Sequence, residues 1–379
     1  MFMRYFLPIL FLLTFGQLSA QQRFDIGGYV KDLQSVYLLH PDLPVPGLDT
    51  TLVLNTSFLH HRLNTRWSIS DALSLKTEFR NRFFWGDELN DAFVKQLDAA
   101  NDHFDLSLEG SNNNGLAYQL MIDRLYLEFA KGKWEIRLGR QRINWGISTI
   151  WNPNDVFNAF SFTDFDYEER PGSDALRVRY FTGFASSVEI AVKAADSWEN
   201  FTGATLVRLH RWDYDFQILA GMVEKQLTLG GGWAGNLGNA GFKGEFTWFG
   251  DSFAATLAAD YLTAGSLYLH GGFLYNSNGS TDTNILNLFD FELSASNLYP
   301  YKYSLLTQAS YPFTPLLNGG LALIYSPSKA HALFINPTFT YSVATNWDLD
   351  LVGQLAFDRN GSKFGSPVQA LFLRLKFSY

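Results

Sequence analysis

Cationic side chains recur at even spacings in several short stretches of the first half of the chain. They are Arg62, Arg66, Lys76, Arg80, Arg82, Arg124, Arg137, Arg140, Arg142, Arg177 and Arg179. The acidic side chains among them are Glu78, Asp123, Glu128 and Glu135, so eleven positive charges stand against four negative ones. Such a surplus could attract anions and lower the barrier to their passage. The alternative is that arginine–carboxylate ladders simply fill the interior of the fold.

Alternating polar and apolar residues indicate the β-strands that position these charges, because a strand sends successive side chains to opposite faces. Residues 60–69 place His60, Arg62, Asn64, Arg66 and Ser68 on one face and Leu63, Thr65, Trp67 and Ile69 on the other. A turn at 70–72 predicts a hairpin that pairs Trp67 with Leu75, Arg66 with Lys76 and Arg62 with Arg80. Like charges directly opposite each other are unfavourable. Water, neighbouring carboxylates or an anionic solute must therefore offset them.

A second hairpin is predicted around the turn Lys131-Gly132. This turn pairs Phe129 with Trp134 and brings Glu128 opposite Glu135. Two facing carboxylates could share a proton or bind a cation, whereas nearby arginines would instead make them part of an ion-pair network. The alternation slips by one residue at Gly139 and between Asp123 and Arg124, which predicts β-bulges there.

Residues 369–379 form an amphipathic strand that ends on an aromatic residue. Leu371, Leu373, Leu375, Phe377 and Tyr379 share one face, and Ala370, Phe372, Arg374, Lys376 and Ser378 share the other. This strand resembles the C-terminal recognition strand of Gram-negative outer-membrane barrels, and the resemblance implies recognition by the barrel-assembly machinery. A Lys or Arg facing lipid at the bilayer midplane costs about 2–4 kcal/mol. The cationic faces are therefore predicted to line an enclosed, watery interior.

Short strands bounded by turn residues continue along the rest of the chain. They are predicted at 175–181, 184–192, 205–210, 214–223, 242–248, 253–262, 267–275, 301–311, 316–325, 332–343 and 347–357. Two further segments, 24–39 and the glycine-rich 227–234, decide the total. The fold class is thus all-β, a transmembrane antiparallel β-barrel of about 16–18 strands.

Long connections are predicted at 41–50, 87–115, 147–173, 276–300 and 358–367, and loops of this length are often functional. The mixture of aromatic and acidic residues in 147–173 suits a loop packed in or over the lumen. The residues predicted to form a constriction there are Trp151, Asn152, Asp155, Asp164 and Asp166. Ca²⁺ binding by these oxygens is an open alternative, although the EF-hand spacing is absent.

Composition places the chain in the cell envelope. Residues 1–20 combine Arg4, a short apolar run and a small-residue site at Ala20, which predicts a signal peptide. The remaining 21–379 are expected to form a single barrel domain in a Gram-negative outer membrane. The formal net charge of −8 argues against nucleic acid as a partner. The absence of cysteine excludes disulfides, and aromatic residues make up 16% of the chain, as interfacial girdles require.

The sequence Arg137-Leu-Gly-Arg-Gln-Arg-Ile-Asn-Trp-Gly146, together with the motif Trp151-Asn-Pro-Asn-Asp155, resembles one particular group of proteins. This is a largely uncharacterised Gram-negative outer-membrane barrel family with a Gly-Arg-Gln…Asn-Trp-Gly strand, often placed near porins and alginate-export-type barrels. The resemblance implies the fold and the membrane location. It implies no substrate.

We therefore predict a porin-like channel for passive diffusion of small hydrophilic solutes, anionic ones among them. The expected partners are outer-membrane lipid and small solutes. No cofactor and no metal are expected, and the sequence does not determine the oligomeric state. The alternatives are an export or envelope-machinery barrel that handles polysaccharide or a partner protein, and an outer-membrane hydrolase. The chain has no HExxH, GxSxG or Walker motif, so an enzyme is not expected. Asp102-His103 is the pair that a hydrolase would use.

Overall fold

The computed structural model describes residues 23–39, 51–87, 89, 93, 97, 101–112, 115–159, 164, 166, 168–288, 291, 293–360 and 363–379. The predicted signal peptide and the predicted connection at 41–50 lie outside these residues. The strands are β1 Phe24–Leu39, β2 Leu52–Ser68, β3 Leu73–Gly86, β4 Ser107–Asn112, β5 Leu116–Lys131, β6 Trp134–Gln141, β7 Ser173–Phe181, β8 Ser187–Lys193, β9 Thr202–Arg211, β10 Tyr214–Val223, β11 Gln226–Leu237, β12 Ala240–Trp248, β13 Phe253–Leu262, β14 Tyr268–Asn276, β15 Tyr303–Pro312, β16 Leu317–Ser326, β17 Ala332–Ala344, β18 Trp347–Asn360 and β19 Lys363–Ser378.

Eighteen of these strands form one closed antiparallel ring, since β1 pairs with both β2 and β19. The short β4 pairs only with the first part of β5, on the edge that β6 occupies further along. The upper estimate of 18 strands is confirmed, and both doubtful segments, 24–39 and 227–234, lie in strands. No helix among the described residues is long and apolar enough to cross a membrane.

The seam of the ring joins the two ends of the described chain. Gly28 and Tyr379 exchange two backbone N–H···O bonds of 3.0 Å each. The Tyr379 hydroxyl donates to the carbonyl oxygen of Arg62 (3.1 Å) and lies 3.0 Å from His61 Nε2. A Cβ on residue 28 would lie 2.1 Å from that same carbonyl oxygen. Glycine at position 28 therefore lets the terminal tyrosine close the sheet.

The two faces of the sheet differ in polarity, as the alternation predicts. On β19, Leu371 is 53% exposed while Phe372, its neighbour in sequence, is 6% exposed. Exposed aromatic residues ring the end of the barrel that carries the short turns (69–72, 132–133, 212–213 and 345–346), here called the turn end: Trp67, Trp134, Trp212, Tyr261, Tyr311, Phe313, Tyr341 and Trp347. A second set lies at the opposite or loop end: Trp85, Trp248, Phe253 and Tyr303. This is the arrangement of aromatic girdles at two membrane interfaces.

The β2–β3 register is confirmed: Trp67 pairs with Leu75, Arg66 with Lys76 and Arg62 with Arg80. The β5–β6 register is wrong by two residues, because the turn is Gly132-Lys133 and Lys131 pairs with Trp134. Gly132 takes the positive φ of 61° at the first turn position. Glu128 consequently lies opposite Arg137 instead of Glu135, and the facing-carboxylate prediction fails.

One of the two predicted bulges is confirmed. Glu78 pairs with Arg124 and Phe79 with Ile122, so Asp123 is the extra residue of β5. The ladder runs through Gly139 without a shift, and the bulge predicted there is wrong. Gly139 instead has φ of 121°, and a Cβ there would lie 2.2 Å from the Leu125 carbonyl oxygen.

The predicted long connections have different fates. Residues 87–115 contain β4, and 358–367 is not a long loop, because β18 continues to Asn360 and β19 begins at Lys363. The described residues of 142–172 and 277–302 turn into the barrel and pack against its wall. Two apolar clusters form there, one around Trp145 against β7–β10 and one around Trp151 and Tyr301 against β13–β19. The ion pairs described next occupy the inner face of β1–β9 and β18–β19.

Candidate functional site

The described residues of 142–172 (142–159, 164, 166 and 168–172), called here the infolded segment, enter the barrel directly after β6. Gln141 Nε2 donates to the carbonyl oxygens of Ala175 (3.0 Å) and Arg137 (3.2 Å) and so anchors the end of the strand. Ile143 and Trp145 follow with no exposed surface. The Trp145 ring packs edge-on against Phe157 at 5.0 Å between ring centroids. The Gly-Arg-Gln…Asn-Trp-Gly sequence is therefore the point at which the chain leaves the wall for the interior.

The first part of this segment then docks on the barrel wall through Glu245 of β12. One carboxylate oxygen accepts the backbone N–H of Ser148 (2.9 Å) and Ile147 (3.3 Å), and the other accepts that of Asn154 (3.3 Å). Asn154 also donates from Nδ2 to the Gly231 carbonyl oxygen (3.0 Å). A buried carboxylate that accepts three backbone N–H groups holds this turn in place.

Glycines on β11 make room for the docked turn. A Cβ on Gly230 would lie 2.6 Å from Asn154 Oδ1, and one on Gly232 would lie 2.8 Å from Ile147 Cδ1. Both glycines face the interior, so the infolded segment approaches the wall to backbone distance. The close approach of the infolded segment explains why the strand at 227–234 is rich in glycine.

Three of the five residues predicted for the constriction lie in the docked part of the segment. Trp151 packs against Tyr299 at 5.4 Å between ring centroids. Asn152 packs against Gly146, since a Cβ on Gly146 would lie 2.3 Å from Asn152 Oδ1. Asp155 is 1% exposed and accepts the backbone N–H of Trp145 at 3.3 Å. Burial raises the pKa of the Asp155 carboxyl to about 7, and this outweighs the lowering effects of the Trp145 N–H, Arg142 and Arg170.

We expect the pH dependence of segment docking to follow Asp155. Its pKa lies above the ordinary value of 3.8, so protonation stabilises the docked state. That contribution is fully present below about pH 4 and is lost as the pH rises through about 7. Hydrogen exchange of residues 143–158, measured relative to barrel-strand amides, should show weaker protection at pH 8 than at pH 5. Asp155→Asn should reduce this difference, and an unchanged difference in the variant would contradict the assignment.

The last part of the infolded segment is acidic and lies against a cationic wall on β1, β2 and β19. Asp166 pairs with Lys31 (2.8 Å) and Arg374 (3.3 Å). Glu168 lies 2.9 Å from Arg374 and 3.1 Å from Lys376, and Glu169 lies 3.6 Å from Arg62. Asp164 belongs to the same acidic stretch. The wall cations therefore have carboxylate partners that come from a distant part of the chain.

One network of buried ion pairs surrounds Arg62. Its guanidinium bonds to Glu78 and, at 2.5 Å, to Asp123, which also pairs with Arg80 at 3.3 Å. Lys76 lies 2.8 Å from Glu78. The like-charge pair of Arg62 and Arg80 is thus bridged by the carboxylate of the bulge residue Asp123.

A second network runs along β5–β9. Glu128 pairs with Arg137 (2.6 Å) and Arg66 (3.1 Å), and Glu135 pairs with Arg177 (2.6 Å) and Arg137 (3.3 Å). Glu189 of β8 forms ion pairs with Arg177 (3.2 Å), Arg208 (3.2 Å) and Arg179. It also accepts a hydrogen bond from the Trp145 indole N–H at 2.6 Å. This network therefore reaches the infolded segment through Glu189 and Trp145.

The remaining predicted cations have other partners. Arg140 pairs with Asp174 (2.7 Å), Arg82 donates to Gln119, and Arg124 donates to the carbonyl oxygens of Glu169 and Arg170, each at 2.7 Å. Arg142 lies beyond the end of β6, in the infolded segment. Residues of this interior that the sequence did not single out are Lys31, Glu168, Glu169, Glu189, Arg208, Glu245 and Asp350. Strand alternation could have found Glu189 and Arg208, but nothing local marks Glu245.

Asp102 and His103 have separate partners. Asp102 accepts the backbone N–H of Asp174 at 2.7 Å and pairs with Lys193 at 2.5 Å. The Nδ1 atom of His103 lies 3.8 Å from Asp196 instead. Among the described residues, no group of three His, Asp or Glu side chains could hold a metal ion.

Comparison with known proteins shows similarity in structure. No protein-family model matches the chain, and no curated protein is significantly similar to it in sequence. A BenF-like porin from Pseudomonas fluorescens Pf-5 superposes with a TM-score of 0.59 at 9% identity, over 93% of this chain and 98% of that one. OccAB4 from Acinetobacter baumannii gives 0.57 at 9% identity, over 94% and 99% of the two chains. OccK11 (OpdR) from Pseudomonas aeruginosa gives 0.55 at 10% identity, over 93% and 95%. The chain therefore has the fold of the outer-membrane porins.

Proposed function

We propose that this protein is a porin-like channel of a Gram-negative outer membrane, through which small hydrophilic solutes diffuse passively. The observation that carries the proposal is the closed ring of eighteen strands with an apolar outside and an ionised inside. A membrane-spanning ring accommodates ionised side chains in a polar interior, whereas on its lipid-facing surface they are costly. The similarity to porin structures supports the same fold-level argument. The infolded segment would narrow the path.

We further propose a weak preference for anions. In several ion pairs on β2–β9 the cationic side chain is more exposed than the carboxylate that neutralises it. Arg66 and Lys76 have 53% and 39% of their side-chain surface exposed, against 14% for Glu128 and 10% for Glu78. Arg208 is 30% exposed, against 1% for Glu189. A solute moving along this wall would meet mostly positive groups.

The charge preference can be measured as a reversal potential in planar bilayers under a salt gradient. We expect the potential of the wild-type protein to favour the anion. Arg66→Gln combined with Lys76→Gln should lower the anion-to-cation permeability ratio about two- to fivefold, because exposed charges interact by about 0.2–1 kcal/mol. Lys225→Gln at the loop end is the control, since Lys225 pairs with Glu199 outside this wall. A wild-type reversal potential that favours the cation would contradict the proposal.

The same recordings separate this function from its rivals. Stable steps of current support a channel. Their absence, with a periplasmic protein that copurifies, would support an export or envelope-machinery barrel instead. We also propose that β19 is the strand read by the barrel-assembly machinery, because its alternation and terminal Tyr379 match the resemblance seen in sequence. Replacing Tyr379 by Ser should then lower the amount of assembled protein in the outer membrane.

A further inference from the structure

The outer surface of the barrel carries an apolar groove across β9–β12. Its volume is about 720 Å³, and the side chains that border it include Leu209, Phe216, Ile218, Trp233 and Phe246. The groove lies on the face opposite to the ion pairs. It is therefore separate from the proposed solute path.

A glycine on the outer face creates this depression. Gly231 has the same parity as Leu229, which is 44% exposed, so position 231 also faces outward. It pairs with Ile218 on one side and Phe246 on the other. Neighbouring positions carry large side chains where Gly231 carries none, and a Cβ there would lie 3.1 Å from the edge of the Phe246 ring. The floor of the groove is therefore backbone.

The turn end of the groove carries a cation. Arg211 and Trp212 border it at the 212–213 turn, and the Arg211 guanidinium lies 5.4 Å from the centroid of the Trp212 ring. Trp212 is 76% exposed and lies edge-on to Phe216 at 6.5 Å between centroids. In an outer-membrane barrel the short turns face the periplasm, so this cation lies at the headgroup level of the inner leaflet.

The dimensions of the groove fit one leaflet. Arg211 and Val207, the residue level with Gly231, are four residues apart, which is about 13 Å along a strand. Barrel strands tilt by about 35–45°, so this length is about 10 Å of membrane depth. Half of a hydrocarbon core of about 30 Å is about 15 Å. An acyl chain that begins at the Arg211 level would therefore pass over the floor at Gly231. Arginine suits a phosphate because its guanidinium offers paired donors.

We propose that the groove binds one phospholipid of the inner leaflet, with an acyl chain against Gly231 and the phosphate against Arg211. The inference rests on the proposed membrane location. A second copy of this chain is a poorer occupant, because its apolar outer wall offers nothing to Arg211 at the rim. The groove would hold this lipid more tightly than the rest of the barrel surface holds its lipids, since a concave surface makes more van der Waals contacts with an acyl chain.

The test is native mass spectrometry of the detergent-purified protein with added phosphatidylglycerol, and with diacylglycerol of the same chains as the probe without phosphate. We expect the wild-type protein to retain one phosphatidylglycerol molecule and little diacylglycerol. Arg211→Gln should weaken retention about tenfold, as expected for the loss of one charge-assisted hydrogen bond. Gly231→Leu, which fills the groove and keeps the cation, should abolish it. Lys133→Gln, at another turn of the same end, should have no effect.

Equal retention by the wild-type protein, Arg211→Gln and Gly231→Leu would overturn the proposal, because it would show only general lipid contact. Stable oligomers that Gly231→Leu dissociates would assign the groove to a second copy and would overturn it as well. Each variant is checked for a closed barrel by its heat-dependent mobility in detergent gels and for current steps in bilayers. If a variant loses the lipid but still conducts, its result concerns the groove and leaves the channel proposal untouched. If the wild-type protein itself does not conduct, the channel proposal is contradicted.

Discussion

Replacement of Glu245 by alanine is expected to raise the single-channel conductance at least twofold. The carboxylate of Glu245 accepts the backbone N–H groups of Ile147, Ser148 and Asn154 in the docked turn. Each buried donor that loses its acceptor costs about 1–3 kcal/mol. The docked arrangement thus loses several kcal/mol relative to one in which water satisfies these groups. The infolded segment should then move away from β12 and widen the path.

Two controls define this result. Glu245→Gln keeps an oxygen acceptor at the same place and should change the conductance less than alanine does. Asp260 lies on the neighbouring strand β13 and pairs with Lys243 of β12 at 3.2 Å. Asp260→Ala therefore removes a carboxylate that does not touch the segment, and the segment should stay docked. If Glu245→Ala has wild-type conductance and wild-type hydrogen exchange over residues 147–154, Glu245 does not hold the segment.

Replacement of Arg62 by alanine should destabilise the barrel by about 3–5 kcal/mol, the usual cost of removing one partner from a buried ion pair. Its side chain has no exposed surface and lies among three carboxylates, Glu78, Asp123 and Glu169. Alanine would leave Asp123, which is 1% exposed, with fewer cations to offset its charge. The measurement is reversible urea unfolding in lipid vesicles, followed by tryptophan fluorescence.

Arg66 provides the matched control on the same strand and the same face. Its side chain is 53% exposed, so Arg66→Ala should change the unfolding free energy by no more than about 1 kcal/mol. The double variant Arg62→Ala with Asp123→Ala should recover part of the loss, because the buried charge is removed together with its partner. A loss below about 1 kcal/mol in Arg62→Ala would mean that water solvates these carboxylates.

Strand positions and the inward or outward direction of side chains could be predicted from sequence because both depend on a local period of two. The β2–β3 register was also accessible, since one three-residue turn fixes it. The β5–β6 register failed because the turn could begin at Lys131 or at Gly132, and both choices leave the same faces together. Parity alone cannot distinguish registers that differ by two residues.

The prediction of a long loop at 358–367 is wrong for a different reason. Its glycine, serine and proline are typical of loops, yet Pro367 lies within β19 at an irregular point of the ladder. There Ala356 pairs with Val368 and Asp358 pairs with Gly365. Proline is tolerated at such a bulge because a backbone N–H is not needed there.

The contacts of the infolded segment depend on three-dimensional proximity that no local pattern contains. Ser148 and Glu245 are 97 residues apart, and Asp166 and Arg374 are 208 residues apart. The acidic composition of 164–169 was visible, but its partners on β1 and β19 were not. The cationic surplus seen in sequence is consequently smaller in the folded interior.

The seam between Gly28 and Tyr379 has a consequence for how the barrel forms. The strands that close the ring, β1 and β19, are separated by more than 300 residues, and contacts at such separation form slowly. Until they meet, two long strand edges with unpaired N–H and C=O groups remain open to neighbouring chains. Loss of β19 would therefore favour aggregation over a smaller barrel.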